Sequence, residues 1–245
     1  MKIEAFAVRL RPRSNMEAAD LGVRLCQSAA RSVYSCYWAV ALPLVALCLS
    51  CFQLATWIPT LGVWLAKPWA DRTILFVLSR AAFGQDTSLS VLWQARREIW
   101  GRQLVRTWTL QRLSAWRSLT QPVYQLEGLH AAALRKRVAQ IRLGAKGAAT
   151  LVSSVFGLVE LILLFGLISL GYWLAPKGYT PNFTPLLSGN PLPAGNEFAL
   201  QAAYCAVVLF LEPFYVAAGF AMYLNRRAQL EAWDIEQEFR RAFAA

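Results

Sequence analysis

Three long apolar runs dominate the alternation of hydrophobic and polar positions along the chain: Val33 to Ile58, Ala148 to Leu174 and Ala199 to Leu224. Each exceeds the roughly 20 helical residues needed to cross a bilayer core, so each predicts a transmembrane helix. Between the first two, "LGVWLAKPWADRTILFVLSRAAFG" is apolar at both ends but carries Lys67, Pro68, Asp71 and Arg72 at its centre. A continuous lipid-facing helix there would cost about 2.5–3.5 kcal/mol for each central charge. The pattern predicts instead a broken or re-entrant segment within 60–84. Leu61 to Ala66 completes a hairpin, Thr73 to Phe83 returns as a second half-helix, and Asp71 and Arg72 are close enough in sequence to pair. The alternative is an interfacial helix lying flat on the membrane.

The flanking segments carry helical periodicity with polar faces. In 1–32, Ser14 followed by Glu17 is a capping-box signature, and Met16, Ala19, Val23, Cys26 and Ala30 recur at helical spacing. In 85–147, Trp93, Trp100, Trp108 and Trp116 recur every seven or eight residues among arginines. That spacing predicts a helix with its indoles along one side, suited to a headgroup layer of anionic lipid. Pro122 is expected to end it, and a second helix resumes with Leu126, Leu129, Ala133, Leu134, Val138 and Ile141 on its apolar side. The tail 225–245 sets Leu230, Trp233, Ile235, Phe239 and Phe243 among alternating charges, as in a helix that lies on a membrane or docks on a partner.

Composition agrees with the spans: 57% hydrophobic, 16% charged, mean hydropathy +0.37, which excludes an ordinary soluble globule. The fold class is therefore all-α, a polytopic helical membrane protein. About thirty polar and basic residues precede the first run, so a cleaved signal peptide is not expected. Charge then orients the chain. Of the 25 Lys and Arg residues, six lie in 1–32, eleven in 85–147 and four in 225–245, whereas the polar loop 175–197 has only Lys177. Loops rich in Lys and Arg remain cytoplasmic, so both termini and 85–147 are expected inside and 175–197 outside. That arrangement needs an even number of crossings, and favours the return of 60–84 over the flat helix. The parts are thus 1–32, a span and return in 33–84, 85–147, a hairpin of two spans in 148–224, and 225–245.

Candidate chemistry is sparse. Five cysteines lie in or beside apolar helices without a histidine set to complete a metal site, His130 stands alone, and "CLSC" fits packing. No phosphate-binding glycine loop, G-x-S-x-G elbow or H-E-x-x-H helix occurs. Basic residues among aromatics also suit nucleic acid, but the segment is tethered between spans, so no nucleic-acid partner and no cofactor are expected. The exception is a pair of acids inside the spans, Glu160 and Glu212. Each is twelve residues from its span's cytoplasmic end, about 18 Å deep at 1.5 Å per residue. Running in opposite directions, the spans put both at one level, where facing carboxylates would favour protonation of one. Pro213 leaves the carbonyl of Leu209 without its helical partner, and a protonated Glu212, Arg72 or Arg80 is expected to complete this polar point. Gly157, Ala217, Ala218 and Gly219 allow close helix approach beside it.

The last third, "EPFYVAAGFAMYLNRRAQLEAWDIEQEFRR", together with "LRPRSNMEAADLGVRL", "KPWADRTILFVLSRAAFG" and "QPVYQLEGL", resembles a group of bacterial inner-membrane proteins. These are related to the membrane domain attached to some glycerophosphodiester phosphodiesterases. Tyr223, Asn225, Arg226, Glu231 and Asp234 form the most specific piece. The resemblance implies a bacterial inner-membrane location and an accessory role beside a MoxR-type ATPase and a membrane protein with a transglutaminase-like region. It does not carry over hydrolysis, because the histidines and metal-binding carboxylates of that catalytic domain are missing here. The expected function is a non-enzymatic scaffold subunit whose surface contacts, to lipid or partner, include Trp93, Trp100, Trp108, Arg226, Glu231, Trp233 and Asp234. The alternative is a small transporter or lipid-handling protein using Glu160 and Glu212.

Overall fold

A computed structural model of the chain describes residues 13–101, 114–176 and 192–231. Trp108, Trp233, Asp234 and most of the loop 175–197 lie outside these residues. The described residues form helices without a strand: α1 (Asn15–Ser28), α2 (Ala30–Ser50), α3 (Ile58–Ala81), α4 (Leu89–Gln94), α5 (Arg96–Trp100), α6 (Arg117–Leu126), α7 (Ala131–Arg142), α8 (Lys146–Leu174) and α9 (Ala194–Glu231). Three helical stretches, Ala30–Gln53, α8 and α9, are long and apolar enough to cross a membrane.

The start of α1 follows from its sequence. Ser14 Oγ accepts from the backbone N–H of Glu17 while the Glu17 carboxylate accepts from Ser14 N–H, so the capping box satisfies two otherwise open donors. The face carrying Ala18, Ala19, Gly22 and Cys26 is buried, and it lies along α9. A Cβ on Gly22 would stand 2.2 Å from the carbonyl oxygen of Ala217, so only glycine permits this backbone approach.

The segment 58–81 is one continuous helix, which corrects the expected break. It is antiparallel to α2: Gly62 packs on Cys48 near the turn, and beyond its far end Thr87 and Ser32 exchange hydrogen bonds of 2.7 and 3.1 Å. The charges would be costly only if exposed to lipid, yet half of the residues of α3, including Lys67, Asp71 and Arg72, are buried against other helices. Nor do Asp71 and Arg72 pair. Neighbours on a helix point about 100° apart, whereas Lys67 and Asp71, at i and i+4, share a face.

The middle segment also departs from the expected pattern. Trp93 and Trp100 do not share one helix, because the chain turns at Ala95 between α4 and α5. Trp93 is exposed beneath the Arg96 guanidinium, while Trp100 stacks on Trp69 and donates its indole N–H to Thr73 Oγ1 at 3.2 Å. Pro122 lies inside α6 rather than ending it. Instead the chain breaks at Gly128, whose φ of 62° suits glycine. Of the apolar side expected for α7, Leu134, Val138 and Ile141 are buried and Leu126 is exposed.

α9 is the central post. In its most apolar window 72% is buried, against 6% in that of α8, and it touches α1, α2, α3, α6, α7 and α8. The flank of α8, with Leu158, Leu161, Ile162 and Phe165 exposed, is the apolar exterior.

Candidate functional site

Counting residues from the span ends placed Glu160 and Glu212 at one level, and one ammonium group joins them. Lys67 Nζ on α3 lies 3.0 Å from Glu160 Oε2 on α8 and 3.1 Å from Glu212 Oε2 on α9. The two carboxylates therefore meet through a cation and not through a shared proton. Glu212 also takes a hydrogen bond from Arg117 Nη2 at the start of α6, and Arg117 Nη1 stands 3.2 Å from Asp71 Oδ2. Three carboxylates and two cations from four helices form one buried network. Removing these charges from water is expensive, and their mutual contacts offset that cost only while every member is present.

Arg117 reaches this depth because α6 is drawn into the helical body. Gln121 and Gln125 donate their side-chain N–H groups to the backbone oxygens of Pro68 (3.3 Å) and Arg72 (2.8 Å), an i, i+4 pair on α6 matching an i, i+4 pair on α3. On its other side α6 crosses α9 at Gly219, where an added Cβ would sit 2.2 Å from Ser118 Cβ. Ser153 of α8 donates to the carbonyl of Ala115 at 2.6 Å, and the Arg117 guanidinium lies over the Tyr215 ring. The first two turns of α6 are thus buried on every side, Leu119 and Val123 with Arg117 and Gln121, unlike a helix resting on headgroups.

Pro213 behaves as its chemistry demands, but neither Glu212 nor an arginine serves the freed acceptor. Trp38 Nε1 of α2 donates to the carbonyl of Leu209 at 3.2 Å, and Tyr34 donates to that of Phe210 at 2.6 Å. Arg72 is buried outside the carboxylate pairs described above, and Arg80 lines a different cavity. Lys67 and Arg117, the cations that join the carboxylates, do not stand out from run length or charge counts. The i, i+4 spacing of Lys67 and Asp71 was the available signal for the first.

A cavity of about 240 Å³ opens beside the network. Lys67, Arg117, Glu160 and Glu212 border it together with Tyr204 and Tyr215, and Gly157 leaves room on the α8 side. Glu160 is the most accessible of the carboxylates, its side chain 24% exposed against 4% for Glu212 and none for Asp71. Lys67 also lies 5.8 Å from the centre of the Tyr204 ring. Among the described residues no His, Cys, Asp or Glu group is arranged to hold a metal ion.

Glu231, expected among the surface contacts, is half-buried and paired within the chain at the end of α9. Glu231 accepts from Arg227 at 2.8 Å and from Arg137 of α7, and Arg137 donates to Glu127 at 2.8 Å. Burial works against the Arg137 charge, but the hydrogen bonds to Glu127 and Glu231 outweigh it and hold its pKa above the ordinary guanidinium value. Tyr223 donates to Glu127 at 2.8 Å, Asn225 exchanges two hydrogen bonds with the Arg13 backbone, and Arg226 reaches Gln229. Asn225 thus fastens the entry of α1 to α9, and Glu231 fastens the middle of α7 to it. His130 is exposed ahead of α7, with no side-chain bond to cap it. Comparison with family models, with curated proteins and with solved structures finds no match to this chain.

Proposed function

We propose that the chain is a non-enzymatic membrane protein that binds and passes a small cationic solute at the cavity beside Lys67, Glu160 and Glu212. The observation that carries this reading is the partial exposure of Glu160 to that cavity within a network of three carboxylates and two cations. Ionisable groups between apolar helices point to a functional site, and the member of the network most open to the cavity, Glu160, is a carboxylate suited to a cation. An entering cation would compete with Lys67 for Glu160 while Lys67 retained Glu212, leaving the buried half of the network paired. In this reading α3 is a fourth crossing and α6 is the re-entrant element. The basic segments favour a cytoplasmic side for both termini, and the resemblance favours a bacterial inner membrane.

Glu160→Gln tests the reading. The variant should accumulate to the normal level, since the amide can still accept from Lys67, yet fail to complement whatever defect follows deletion of the gene. Full complementation would remove Glu160 from the function.

An accessory role beside a MoxR-type ATPase and a transglutaminase-like membrane protein is the second reading, supported by the long exposed flank of α8. Gentle detergent extraction and mass spectrometry should then recover a stoichiometric partner. A solitary protein would count against it.

A further inference from the structure

A second cavity, of about 260 Å³, shares no lining residue with the first. Phe83, Leu126, Phe220 and Leu224 give it apolar walls, and Arg80 and Arg227 are its charged residues. Arg227 is held by Glu231 and Tyr223. Arg80 has no ion pair among the described residues, and its buried Nε–H has no acceptor; the guanidinium only approaches the Phe76 ring, at 5.9 Å.

Position adds to chemistry. Arg80 is in the last turn of α3, whose end returns to the level of Ser32 at the start of α2. Leu224 and Arg227 stand where the apolar run of α9 gives way to "NRRAQLE". An arginine at the end of an apolar helix, above an apolar trough, sits where a phospholipid places its phosphate above its acyl chains. The lining also selects the headgroup. It holds two arginines and no carboxylate, so it matches a phosphate and offers nothing to the ammonium of a zwitterionic lipid.

We propose that this cavity is a binding site for one anionic phospholipid, with the phosphate on Arg80 and the upper acyl chain between Phe83, Leu126, Phe220 and Leu224. The site is independent of the ion network and stands whether or not that network carries a solute. Arg80 supplies the free donor for the phosphate, and Arg227 adds charge at the rim while keeping its own bonds to Glu231.

The test titrates the purified, delipidated full chain with phosphatidylglycerol or phosphatidylcholine of identical acyl chains, read by native mass spectrometry. Phosphatidylglycerol should bind at one molecule per chain and clearly more tightly. Arg80→Gln should weaken it roughly fivefold, the worth of one basic residue beside an anionic headgroup, leave phosphatidylcholine unchanged, and be restored by Arg80→Lys. Leu126→Trp, which fills the trough from an exposed position, should weaken binding without touching a charge. Equal binding of the two lipids, or phosphatidylglycerol binding unaffected by both Arg80→Gln and Leu126→Trp, would overturn the proposal. So would competition by inorganic phosphate at the lipid's own concentration, which would mark a simple anion site.

Discussion

Replacing Arg117 with leucine should destabilise the protein more than any other single change described here. The side chain is almost fully buried and faces Glu212 and Asp71, so its loss strands two carboxylates at the centre of the helices. Breaking a buried pair by removing one partner costs about 3–5 kcal/mol. For a chain of this size each kcal/mol lowers the melting temperature by about 2–4 °C, so the midpoint in detergent should fall by on the order of 10 °C. The charge account makes a second demand. Adding Asp71→Asn and Glu212→Gln to Arg117→Leu removes the stranded charges and should recover much of the loss, although each of those changes alone is destabilising in the native chain. A triple variant no more stable than Arg117→Leu would show that the arginine acts by packing.

Gly22→Ala is the second large effect, and its sign opposes helix propensity. Alanine is favoured over glycine within a helix by about 1 kcal/mol. At Gly22, however, the new methyl would meet the Ala217 carbonyl and Ala218 Cα, at 2.2 and 2.8 Å from the Cβ position, and both are backbone. α1 must then back away from α9, loosening Ala18, Ala19 and Cys26. A net loss of about 1–3 kcal/mol is expected, the usual range for overpacking. Gly157→Ala is the control, because nothing lies within 4 Å of its added carbon. Thermal unfolding of the two variants should move in opposite directions; equal shifts would mean that α1 does not lie on α9 this closely.

The parts that were legible in the sequence are those governed by local or one-dimensional rules. Apolar run length located α2, α8 and α9, the Ser14 and Glu17 spacing located the start of α1, and residue counting put Glu160 and Glu212 at one level. The parts that were not legible depend on what a helix packs against. Lys67, Asp71 and Arg72 suggested a break because their cost was reckoned against lipid, whereas the structure gives them protein neighbours. Arg117 was hidden in a run of tryptophans and arginines whose composition suits headgroups, and periodicity reports an amphipathic helix without saying which face is buried. α6 is buried on its polar and apolar sides alike from Arg117 to Val123, and Gln121 and Gln125 at i, i+4 are the trace of its polar docking in the sequence. Glu231 shows the same limit: the sequence does not reveal that its half-buried carboxylate is held by Arg137 and Arg227.

The central claim is a cation-binding cavity between apolar helices, and cysteine accessibility tests it most directly. In a chain whose own five cysteines have been replaced, Gly157→Cys would border the cavity, while Leu158→Cys would face the exposed apolar flank of α8. A hydrophilic methanethiosulfonate needs water and a thiolate. In intact membranes it should label position 157, leave 158 unmodified, and react faster at 157 in its cationic form than in its anionic form. Labelling of 157 no faster than 158, or faster with the anionic reagent, would contradict the account.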